Sequence, residues 1–237
     1  MKSVERLLVC GDSIMKGVVY DKENQKYRLC ESRNFDSLAQ QGVEVYNRAA
    51  MGATVERGAE LLNRLKEKFT ARTAVLFGFG GNDCDFAWDQ ISRCPEGEYA
   101  PKVTFRDFIE KYRAIIRRAQ EAGLQVLVAN LPPIDCHKYF DWITRGLSRE
   151  NILSWLGDVT MLSRWHERYS DGVCALARET GCTVVDIRTP FLIRRSYGQL
   201  LCADGIHPTQ AGHDLIERTL CDALWGRPQP EPALPLR

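Results

Sequence analysis

The chain has 237 residues, 44% of them apolar and 27% charged, with a formal net charge of +1. That length supports one large α/β domain, and the near-neutral charge gives no sign of nucleic-acid or membrane-surface partners. No apolar run approaches the roughly 18 residues of a spanning helix, and the opening MKSVERLLVCG puts Glu5 and Arg6 ahead of only four apolar residues, unlike a signal peptide.

The first apolar run, RLLVCG (6–11), is strand-length and ends in a polar GDS. A second strand is expected at VEVYNRA (43–49), and a helix over 54–69 with Val55, Ala59, Leu62 and Leu65 on one stripe. The third strand is TAVLFGFG (73–80). A helix over 104–122 follows, its stripe running from Phe105 to Ala119, with Thr104 as N-cap and Gly123 as stop. QVLVAN (125–130) and CTVVDI (182–187) complete five strands. Each is a near-continuous Val- and Leu-rich run, as a parallel strand covered on both faces requires.

Between the last two strands, 131–165 is too long for a plain connection and holds Tyr139, Phe140, Trp142, Trp155 and Trp165. It reads as an insertion, part of which walls a site. A helical stripe from Val159 continues to Gly181. The final helix is expected to open at Pro208 and stop at Gly226, leaving a proline-rich tail over 227–237. Strands alternating with helices predict a single domain over 1–226, an α/β/α three-layer sandwich around a five-stranded parallel sheet. Such sheets bind ligands beyond the carboxyl ends of their strands, so GDS, the Met-Gly of RAAMG, GGND and LPPID should meet along one edge. Nine scattered cysteines with no C-x-x-C pair read as reduced thiols in a cytoplasmic protein. Asp135-Cys136-His137 lacks a second ligand pair at metal spacing, so no metal is expected.

VCGDSIMKG (9–17) is not a phosphate loop, because Gly11 and Gly17 are five residues apart and Val18 follows. GFGGND has Asp83 where a dinucleotide fingerprint needs its third glycine, and G-x-S-x-G is absent. By itself GDS is equally a capping turn. A nucleophilic serine needs a base, and the base an orienting group. Among four histidines, His207 stands out: it lies in DGIHPT, three residues after Asp204 and just before the last helix. His166 and His213 fall in helical segments and read as surface or packing residues. The backbone N–H groups of Ser13 and Gly52 and the side chain of Asn82 can serve a developing oxyanion. Asp12 and Asp83 read first as acceptors that hold loops. Arg48 and Asp12 are also kept as candidate substrate contacts.

These blocks, GDS at 11–13, Gly52 in RAAMG, G-x-N-D at 80–83 and D-x-x-H at 204–207, resemble those of the SGNH hydrolases, also called GDSL esterases/lipases. The resemblance implies Ser13 as nucleophile, Asp204 and His207 as the rest of a triad, and Ser13, Gly52 and Asn82 as oxyanion hole. It further implies a flavodoxin-like fold and an acyl-enzyme mechanism with no cofactor. The chain departs from the pattern at Ala49, where the family often has glycine, and reads GDSI rather than GDSL. The expected activity is hydrolysis of small soluble esters, with sugar O-acetyl groups preferred. An acyltransferase using the same triad and a non-catalytic flavodoxin-like binding protein are the alternatives.

Overall fold

Alternate residues of one strand face opposite sides of a sheet, and β1 (Arg6–Gly11) spends both sides on core. In the computed structural model, which describes residues 4–32, 35–64, 69 and 72–227, Leu8 and Cys10 join one apolar cluster while Leu7 and Val9 join the other. From there the chain runs through α1 (Ser13–Lys16), β2 (Val18–Asp21), β3 (Lys26–Leu29), α2 (Asp36–Gln40), β4 (Glu44–Asn47), α3 (Glu56–Arg64) and β5 (Thr73–Gly78). It continues through α4 (Trp88–Arg93), α5 (Phe105–Glu121), β6 (Gln125–Ala129), α6 (Cys136–Ile143), α7 (Arg149–Leu156) and α8 (Met161–Thr180). The last elements are β7 (Thr183–Val185), α9 (Thr189–Leu192) and α10 (Gln210–Trp225).

Five strands pair in parallel in the order β4-β1-β5-β6-β7. This is the flavodoxin-like winding, whose switch point lies at the carboxyl ends of the first and third strands in sequence, here β1 and β5. Leu8, Val75, Phe77, Val126 and Val128 pack against α3, α5 and α8 through Leu62, Tyr112, Ile116, Tyr169 and Val173. On the other face Leu7, Val9, Leu76 and Leu127 meet Leu38 of α2, Phe191 of α9 and Leu215, Ile216 and Leu220 of α10. The result is the α/β/α sandwich expected from the sequence.

Helix ends follow the local chemistry. The Thr104 hydroxyl accepts from Asp107 N at 3.2 Å and opens α5, whose chain turns at Gly123 with φ +76°. The last helix starts later than expected: Thr209, not Pro208, is the cap, because Pro208 is bridged antiparallel to Leu201. The expected 131–165 insertion holds α6, α7 and the start of α8. Leu65 of the expected 54–69 stripe and residues 228–237 of the tail lie outside the described residues. The antiparallel hairpin β2–β3 was not anticipated. All nine cysteines are free thiols, and among the described residues no helix is long and apolar enough to cross a membrane.

Candidate active site

At the switch point β1 and β5 run in register until Gly11 faces Gly78. A Cβ at either position would lie 2.5 Å from Met15 Cγ, so only glycine lets α1 fold back over the strand ends. Asp12 caps α1 by accepting Ile14 N at 2.9 Å. Ser13, the next residue, is buried to 8% exposure at the edge of the sheet.

His207 reaches it from the far end of the chain. Its Nε2 lies 2.9 Å from Ser13 Oγ, and its Nδ1 lies 2.6 Å from Asp204 Oδ2. The D-G-I-H turn is self-closing, since Asp204 Oδ1 accepts the backbone N–H groups of Ile206 (3.1 Å) and His207 (3.0 Å). Gly205 allows it with φ +77°, and a Cβ there would meet Asp135 O and Tyr139 N at 2.6 Å. Asp204 is fully buried. Burial works to raise its pKa, but the hydrogen bond and charge of His207 and the two N–H groups outweigh it, so the carboxyl is held below its usual range.

The loops after β4 and β5 are tied together at the same edge. Asn82 Nδ2 donates to Ala53 O at 3.2 Å, which uses one of its two hydrogens, and Asp83 Oδ1 accepts Val55 N at 2.9 Å. Gly52 takes φ +74° in an exposed turn. Ala49, by contrast, keeps a negative φ, and its N–H is held by Asn47 Oδ1 at 3.0 Å. Asp12 and Asp83 are both buried. Burial pushes Asp12 up to about 6, and burial together with the Asp12 charge pushes Asp83 up to about 7. Asp83 Oδ2 has no hydrogen-bond partner, so its burial disfavours the charged carboxylate.

Ser13, His207, Asn82 and Asp12 line one cavity of about 320 Å³. Asp204 stands behind His207, whereas Gly52 and the exposed Arg48 are not part of the lining. From the 131–165 stretch, Ile134, Tyr139, Trp155, Leu156 and Leu162 do line it.

Three features escape a reading of the sequence. The β2–β3 hairpin sets the Tyr27 ring 5.0 Å from the His207 ring, with the phenol hydroxyl beside the Asp204 carboxylate. Two short aromatic and β-branched runs around a polar turn, VVY and YRL, were its signal. Asp85 accepts Trp88 Nε1 and Tyr139 Oη, each at 2.8 Å, and ties α4 to α6. His166 is a wall residue: it lines the cavity, and its Nδ1 has no partner. Burial first and the Arg188 charge second pull its pKa down to about 3. It is therefore neither a surface residue nor a charged one.

No sequence match was found among curated proteins. Solved structures similar to this chain include a lipase/acylhydrolase from Enterococcus faecalis, at 20% identity and TM-score 0.64, over 97% of this chain and 100% of that one. Another is a catalytic mutant of an acetylxylan esterase from Geobacillus stearothermophilus, at 18% identity and TM-score 0.64, over 94% and 95% of the two chains. An alpha/beta hydrolase enzyme from the metagenome of Lake Arreo, Spain, matches at 18% identity and TM-score 0.64, over 97% and 99%. At these identities the structures establish a shared fold. Residues 9–215 match the profile of the GDSL-like Lipase/Acylhydrolase family. With the match running through most of its length, the chain belongs to that family of carboxylic ester hydrolases.

Proposed function

We propose that the chain is a serine ester hydrolase that works through an acyl-enzyme, with Ser13 as nucleophile, His207 as general base and Asp204 as its orienting partner. The observation that carries this reading is the buried relay from Ser13 Oγ to His207 Nε2 (2.9 Å) and from His207 Nδ1 to Asp204 (2.6 Å).

Asp204 accepts a hydrogen bond from His207 Nδ1–H, which keeps the proton on Nδ1 and leaves Nε2 free to take the proton of Ser13. The Ser13 Oγ–acyl carbon bond forms, and negative charge moves onto the carbonyl oxygen. The N–H groups of Ser13 and Gly52 and the remaining Asn82 hydrogen receive that charge. The carbon–alkoxy bond then breaks, and the alcohol leaves with the proton held on His207. Water repeats the sequence and releases the acid and Ser13.

Small soluble esters are the substrates this reading takes; the likeness to an acetylxylan esterase, at 18% identity, is one of fold and does not choose the acyl group. Ser13→Ala tests the assignment with a chromogenic ester, and kcat should fall about 10⁴-fold or more. Turnover near that of the unmodified chain would overturn it. A fluorophosphonate should label Ser13 in the unmodified chain, and absence of labelling would favour a non-catalytic binding protein.

A further inference from the structure

The cavity beside Ser13 is larger than an acetyl group needs. Its 320 Å³ or so is about twice the roughly 150 Å³ apolar cavity that takes up one benzene. One wall is a cage of rings: Phe86 lies 5.0 Å from Trp155, 5.6 Å from Trp88 and 5.9 Å from Trp165.

The polar ends of four of the lining rings are already engaged. Trp88 Nε1 and Tyr139 Oη both donate to Asp85. Trp165 Nε1 donates to Cys84 O at 3.0 Å, and Tyr99 Oη donates to Cys94 O at 2.6 Å. These four rings therefore present carbon to the chamber. The floor is likewise apolar and buried, with Phe79, Leu131, Leu162 and Ile187 at 6% exposure or less.

The chemistry decides which half of the ester belongs there. The alcohol leaves after the first step, and water must enter where it left, while the acyl group stays bound through both steps. A chamber floored with buried side chains suits the group that stays. The loop carrying Gly52, Met51 and Arg48 is exposed and outside the lining, which leaves an open side for the alcohol.

We propose that the acyl half of the substrate is a medium-chain or aromatic acyl group of about six to ten carbons, seated in this chamber, and that acetyl esters are poor substrates. The proposal rests on the serine-hydrolase reading above.

The test uses p-nitrophenyl esters from acetate to decanoate, kept monomeric, with the full chain. A parallel arm uses acetate esters of alcohols of increasing length. In the acyl arm, kcat/KM should climb up to about fourfold per methylene and at least a hundredfold from acetate to octanoate. The alcohol arm should stay nearly flat. Trp155→Ala, confirmed folded by its circular dichroism and melting, should lower the octanoate-to-acetate ratio at least tenfold. Acetate turned over as well as octanoate, or a length dependence confined to the alcohol arm, would overturn the proposal. If that turnover still required Ser13, the hydrolase reading would stand; turnover independent of Ser13 would sink both.

Discussion

Asp204 does two jobs with two oxygens, which makes Asp204→Asn a discriminating substitution. The amide oxygen can still accept the N–H groups of Ile206 and His207 as Oδ1 does, so the turn keeps its shape. The amide nitrogen then faces His207 Nδ1 and stabilises the tautomer with its proton on Nε2, which takes away the acceptor facing Ser13. We expect kcat to fall about 10³–10⁴-fold with KM within about threefold, measured by steady-state kinetics on a chromogenic ester; a loss under tenfold would remove Asp204 from the mechanism. The Asp204–His207 pairing was legible because it is local: three residues, one glycine, one turn. Ser13 and His207 are 194 residues apart, and they meet because the parallel sheet brings every strand's carboxyl end to one edge. Asp85 and His166 carried no such mark. Their roles come from burial and neighbours, which a one-dimensional pattern does not hold.

The five strands were legible from their continuous apolar runs, and the long helices from stripes ended by Gly123 and Gly226. The hairpin was not, because four-residue strands give period-two alternation too little length to show. It matters to the site all the same. Cys30 N donates to Gly17 O at 2.7 Å, and His213 Nε2 donates to Val18 O at 2.9 Å, so α10 clamps the hairpin beside His207. Tyr27 is the element's contribution: its ring packs against His207 and edge-on to Tyr20 at 5.3 Å. Burial, then the Asp204 charge and hydrogen bond, raise the phenol's pKa, so it remains a neutral hydroxyl beside the carboxylate. Tyr27→Phe keeps the ring and removes that hydroxyl. Asp204 should then attract the His207 proton more strongly, and the acid limb of the kcat/KM profile should move to higher pH by on the order of half a unit. A profile that stays in place would make Tyr27 packing alone.

At the scale of the molecule, four buried groups set opposing pH dependences. His166 is held at about 3 and His213 at about 4, each from an ordinary 6.5. Between those values and 6.5 the unfolded chain binds protons that the folded chain refuses. Their contribution to stability is therefore present above 6.5 and lost as pH falls. Asp12 and Asp83 work the other way. Raised to about 6 and 7 from 3.8, they bind protons in the folded chain first, so their contribution is full below 3.8 and lost as pH rises through 6 to 7. Around pH 5 two protons favour each state and the slopes cancel. Below about pH 4 the carboxylate difference fades while His166 still resists charging, so stability should drop there. His166→Leu exposes the balance. Its unpartnered Nδ1 means that the substitution abandons no hydrogen bond of that atom, and near pH 7 stability should hold within about 1 kcal/mol. Each proton is worth about 1.4 kcal/mol per pH unit, so by pH 4.5 the variant should be more stable than the unmodified chain by on the order of 2 kcal/mol. Urea unfolding at pH 7 and 4.5 measures both. A difference between the two chains that stays constant across that range would mean that His166 takes up its proton inside the fold as readily as in the unfolded chain.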